Sequence, residues 1–100
     1  MPGVGVGLLV TMTAKAGKED ELAAFLESAL PLAQAEEGTS AWYAIKITNR
    51  TFGIFDVFEG AEERRIHLDG RIAAALMAKA DDLLDDPPDL KPVDVLAAKS

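Results

Sequence analysis

One histidine and one strand carboxylate hold most of the chemistry this chain can offer. His67 is the only histidine among 100 residues. Asp56 is the only charged residue in the apolar run Thr51–Phe58. The run turns at Glu59-Gly60 and continues as an amphipathic helix that carries His67. A helix returning over the sheet it leaves can bring such an imidazole back onto the strand carboxylate. The pair would then work as a general base near neutral pH, with Asp56 holding one ring nitrogen and setting the tautomer. The structural alternative is a packed, hydrogen-bonded histidine and a buried acid satisfied by Tyr43, His67 or Arg71. An unpaired buried carboxylate is costly, so Asp56 requires some partner.

Composition narrows the rest. There is no cysteine, hence no disulfide, no thiolate nucleophile and no cysteine-held zinc or iron–sulfur site. With one histidine as well, a protein-held transition metal is not expected, nor is any other cofactor. Seventeen acidic residues against 10 basic give a formal charge of -7, which repels phosphate backbones and argues against nucleic acid as a partner. Charges interrupt every apolar run before it reaches membrane-spanning length, so no membrane partner is expected. The apolar start lacks a basic n-region, so no secretory signal is read and a cytoplasmic setting is expected. Hydrophobic residues make up 49%, enough for one packed domain over residues 1–100.

The elements that must position the pair follow from periodicity. Val4–Thr13 alternates as a first strand, with Val4, Val6, Leu8, Val10 and Met12 as its buried face. Gly3, Gly5 and Gly7 fall inside that strand rather than opening a helix, so they read as close backbone approach and not as a phosphate loop. A helix begins near Lys18 with Glu19, Asp20 and Glu21 in its first turn. It packs through Leu22, Phe25, Leu26, Ala29 and Leu30, breaks at Pro31, and stops at Gly38. Thr39–Thr48 is a second strand. With Asn49-Arg50 as a two-residue turn, Thr48 faces Thr51, Ile47 faces Phe52, Ile45 faces Ile54 and Tyr43 faces Asp56. That places Tyr43, Ile45, Ile54 and Phe58 around Asp56 as the walls of a ligand pocket. It leaves Trp42, Phe55 and Val57 on the opposite face, whose apolar character calls for a second copy of the chain as cover. Ala61–Leu84 is helical with a break near Asp69-Gly70, packing through Ile72, Leu76 and Leu83 and widened by Ala73, Ala74 and Met77. Residues 85–89 form an acidic loop, and Val93–Ala98 is the last strand. The order β-α-β-β-α-β is the α+β ferredoxin-like arrangement, a four-stranded antiparallel sheet with helices on one face.

Four stretches in this order carry a resemblance: AKAGKEDEL (residues 14–22), AEEGTSAWYAI (35–45), TFGIFDVFEGAEERRIHLDG (51–70) and VDVLA (93–97). Together they resemble the antibiotic-biosynthesis monooxygenase domain of the dimeric α/β-barrel superfamily. The resemblance implies a homodimer whose two sheets face each other as a barrel, and a small aromatic ligand between one sheet and its helices. It implies oxygenation of quinols, anthrones or related polyketides without metal or flavin, or, alternatively, a non-catalytic ligand-binding or accessory dimer. Some members degrade haem. Where the family often shows Glu-x-Trp, this chain has Asp56 and Phe58, while His67 matches. Without that tryptophan, and without an asparagine in the first strand, haem binding is not carried over.

Overall fold

A computed structural model of the chain describes residues 5–99. Eight elements follow one another: β1 (Val6–Thr13), α1 (Glu19–Ser28), α2 (Leu30–Gln34), β2 (Thr39–Lys46), β3 (Thr51–Phe58), α3 (Ala61–Leu68), α4 (Arg71–Leu83) and β4 (Asp89–Asp94). The strands form one sheet in the order β2-β3-β1-β4, every neighbouring pair antiparallel. This is the ferredoxin-like α+β fold. Val4, the first residue of the expected first strand, and Gly3 before it lie outside the described residues. No helix among the described residues is long and apolar enough to cross a membrane.

The core lies between the sheet and the helices. Leu8, Val10 and Met12 from β1 and Phe52, Ile54 and Phe58 from β3 meet Leu22 and Leu26 of α1 and Leu76, Ala80 and Leu83 of α4. Alternation along β1 and β3 sends every second side chain to that layer. Gly17, at φ +87°, makes the left-handed turn that ends the β1 connection just before α1. The first helical stretch stops at Ala29, and Pro31 sits in the opening turn of α2, where its missing N–H breaks no helical bond. Because the chain restarts there, Leu30 leaves the buried stripe and is 44% exposed. Gly70 separates α3 from α4 as an extended residue at the start of α4, as the sequence predicts. Ile72, Leu76 and Leu83 are buried, but Ala74 and Met77 face outward and do not widen the packed surface.

The β2–β3 register differs by one residue from the expected one. Lys46 faces Phe52, Ala44 faces Ile54, Tyr43 faces Phe55 and Trp42 faces Asp56. The turn is wider than two residues. The Thr48 hydroxyl accepts the backbone N–H groups of Arg50 at 3.3 Å and Thr51 at 3.0 Å, and Ile47 N–H donates to the Thr51 carbonyl at 2.8 Å. A serine or threonine hydroxyl holding its own turn is an alternative to the tight Asn-type turn. A one-residue slip moves every β2 side chain to the other face. Trp42 therefore packs into the helix-side core, while Tyr43 and Ile45 are exposed on the open face, at 57% and 41%. Phe55 and Val57 stay on the open side, as expected.

The last strand also moves. It pairs with β1 over residues 89–94 rather than 93–98, running through Pro92. A proline argues against an interior strand, but β4 lies at the sheet edge, where the outer side bonds to no strand among the described residues. Leu96, expected inside the strand, is 97% exposed beyond it.

Candidate functional site

Strand β3 is an interior strand, bonded to β1 on one side and β2 on the other. Its alternation turns Asp56 to the helix layer between Ile54 and Phe58, and the residue is 0% exposed. Helix α3 is short and mostly polar, and its burial is inverted relative to its composition. Ile66 and Leu68 point outward, whereas His67 is 6% exposed. Arg64 fixes the helix over the sheet by donating to the Gly7 carbonyl at 3.1 Å and the Val93 carbonyl at 3.4 Å. Arg65 pairs on the outer side with Glu62 and Asp69.

The structure brings His67 and Asp56 together. Nε2 of His67 lies 2.9 Å from Oδ2 of Asp56. This is a charge contact more than an aligned hydrogen bond, because no donor is well directed at either Asp56 oxygen. Trp42 Nε1, on the cross-strand neighbour of Asp56, is likewise buried without an acceptor among the described residues. The Phe58 ring packs on the imidazole with centroids 5.1 Å apart.

The other ring nitrogen meets a residue that the sequence reading did not single out. Nδ1 of His67 lies 2.6 Å from Oε1 of Glu36. Glu36 follows α2, and the same Oε1 accepts the Thr39 hydroxyl at 2.8 Å. The imidazole is thus held edge to edge between two carboxylates. Exposure rises along the chain of contacts, from 0% at Asp56 through 6% at His67 to 22% at Glu36. One sequence signal pointed to Glu36: two adjacent acids, Glu36 and Glu37, just past a helix C-terminus, where the dipole disfavours negative charge.

Burial of the ring works against a charged His67. The contacts to Asp56 and Glu36 and the negative charge of both outweigh it, and the pKa is raised above the ordinary histidine value. The shift favours the charged ring over the neutral imidazole expected from the sequence. The two carboxylates touch opposite edges of the ring, so the three groups cannot converge on one metal ion.

A cleft of about 620 Å³ opens beside this chain of contacts, with Glu36, His67 and Ile66 in its wall. Glu37, Glu59 and Glu63 add further carboxylates, and Arg71 contributes a guanidinium. Of the expected pocket residues, Ile54 and Phe58 lie on the helix side of the sheet but are buried beneath His67, at 3% and 0% exposure. They fill the space instead of lining the cleft. Tyr43 and Ile45 are on the far face of the sheet and are not part of this site, the direct result of the register slip.

No family model and no curated protein matches the chain. Among solved structures it is similar to the NE2512 protein of unknown function from Nitrosomonas europaea, at 51% identity and a TM-score of 0.97, over 100% of this chain and 97% of the other. It is also similar to two proteins described provisionally as antibiotic biosynthesis monooxygenases. One, from Nitrosomonas europaea, has 11% identity and a TM-score of 0.83 over 92% of this chain and 99% of the other. The second, from Caulobacter crescentus, has 13% identity and a TM-score of 0.79 over 95% and 92%. At such identities the likeness is one of fold. The chain therefore belongs to one family with the NE2512 protein of Nitrosomonas europaea, and its fold is that of the antibiotic biosynthesis monooxygenases.

Proposed function

We propose that the chain is an oxidoreductase of the cofactor-independent monooxygenase type, acting on small electron-rich aromatic molecules such as quinols or anthrones. One observation carries this reading: a buried imidazole bridged by two carboxylates at the wall of an open cleft. Removing a proton from a quinol or anthrone raises the ring's own reactivity toward dioxygen, so the protein's part is to bind the molecule and move a proton. The carboxylates of Glu36, Glu37, Glu59 and Glu63 around the cleft disfavour an anionic ligand and suit an uncharged one. The fold likeness to the two provisionally described monooxygenases supports this reading at the level of architecture. The reading keeps the cytosolic setting expected from the sequence.

Oxygen uptake tests it. Wild type should consume oxygen with anthrone or 1,4-naphthohydroquinone, and His67→Ala, checked for fold by circular dichroism, should lose most of that activity. No uptake by wild type across such a panel would sink the oxygenase reading. A second reading, a non-catalytic small-ligand-binding protein, draws on the packing of Ile54 and Phe58, both buried on the helix side of the sheet. Saturable binding of the same molecules without turnover would favour it.

The same reading includes a homodimer through the open face of the sheet. Leu9, Phe55 and Tyr43 lie in one cross-strand row on that face, and Ile45 and Val57 flank it. Trp42, expected there from the sequence, is excluded by the register and does not contribute. Sedimentation at micromolar concentration should give a dimer, and Phe55→Lys should shift it toward monomer by burying an unpaired charge. A folded wild-type monomer under those conditions rules the interface out.

A further inference from the structure

Both nitrogens of His67 are occupied. Glu36 Oε1 lies 2.6 Å from Nδ1 and the fully buried Asp56 carboxylate lies 2.9 Å from Nε2, so each ring nitrogen faces a carboxylate. The ring cannot receive a proton directly from a bound molecule. Glu36 can. Its Oε1 is engaged by His67 and by the Thr39 hydroxyl, which fixes the carboxylate plane. Its Oε2 is directed to Gly70, 3.4 Å from where a Cβ on that glycine would stand, and Gly70 is itself part of the cleft wall. Of the three bridged groups, Glu36 has the most exposed side chain.

We propose that Glu36 is the catalytic base of this site and that His67 and Asp56 are positioning residues acting through it. The inference rests on the proton-transfer reading given above and names the group that executes it. In the step itself, a C–H or O–H bond of the aromatic substrate breaks and its electron pair stays on the substrate as an enolate or phenolate. The proton forms an O–H bond at Glu36 Oε2. With His67 protonated, the two carboxylates and the imidazolium carry one net negative charge, and the arriving proton neutralises it. The imidazolium stays in place, within reach of the new substrate anion's field and hydrogen-bonded to the acid that has just formed. Asp56, sealed in the core, keeps the far edge of the ring from turning.

Hydrogen exchange at C10 of anthrone under anaerobic conditions isolates this step from oxygen chemistry. Wild type in deuterated buffer should accelerate exchange, followed by nuclear magnetic resonance. Glu36→Gln, which preserves size and the contact to His67, should lower the rate by about 10²-fold or more, the usual contribution of a general base. Glu36→Asp, with a carboxylate on a shorter arm, should recover part of it. The wild-type rate should also change as pH crosses the titration of His67, an inflection absent from His67→Gln. Full exchange in Glu36→Gln, or no acceleration by wild type, overturns the assignment. Acceleration by wild type that Glu36→Gln loses, without oxygen uptake, upholds the base and removes the oxygenase reading alone.

Discussion

Raising the pH should unlock the buried imidazole, and the resulting loss of stability can be bounded from two contacts. As an imidazolium, His67 places an N–H against Glu36 at 2.6 Å and another against Asp56 at 2.9 Å. As a neutral ring it keeps one N–H and turns a lone pair toward the second carboxylate. One charge-assisted contact is lost; an aligned one is worth about 1.5–3 kcal/mol, which is an upper bound for a ring whose Asp56 contact is not aligned. The sign follows from the raised pKa. The folded state holds the proton more tightly than the unfolded chain does. The contribution is therefore complete below the unfolded value of about 6.5 and is lost as pH rises through the folded value. Urea unfolding at fixed protein concentration, from about pH 6 to about pH 9, should show the midpoint falling in wild type with an unchanged slope. His67→Gln removes the titration while keeping a polar side chain. It should start lower and stay flatter, and since the α-amino group titrates in both proteins, the difference isolates the ring. Parallel curves for the two proteins would refute the bridged imidazolium.

Two further substitutions probe what surrounds it. Phe58→Ala removes a fully buried ring that packs against His67, and should cost about 3–5 kcal/mol in urea or thermal unfolding. Thr48→Val removes the hydroxyl that accepts two backbone N–H groups in the β2–β3 turn, and should cost about 1 kcal/mol by thermal unfolding, with no change if the turn holds itself.

The order of elements, the buried faces of β1 and β3 and the break at Gly70 were legible from periodicity, because each depends on local alternation; that Asp56 and His67 could form a pair was legible too, but not that they meet. The two misread strands depended on something else. The face of β2 hangs on the turn, and a single threonine hydroxyl widened that turn and sent Tyr43 and Ile45 to the outside. The place of β4 hangs on its being an edge, which a run containing Pro92 does not announce. Glu36 stayed hidden for a third reason. Its partner is 31 residues away, and nothing in a one-dimensional pattern says which helix end a distant imidazole will reach.

The sealed carboxylate of Asp56 has a consequence for how the chain folds. A collapsed intermediate with β1, β2 and β3 paired but α3 undocked would press a bare charge into apolar surface, and such a state is penalised by several kcal/mol. Hairpin closure with Asp56 exposed to water avoids the penalty only while the core remains open. Closing the core and docking α3 must then occur in one barrier crossing, with Glu36 drawn in from the preceding connection by the same imidazole. Mutations at His67 should accordingly slow folding and not merely speed unfolding. The residues proposed to move a proton thus also set the order in which the protein is assembled.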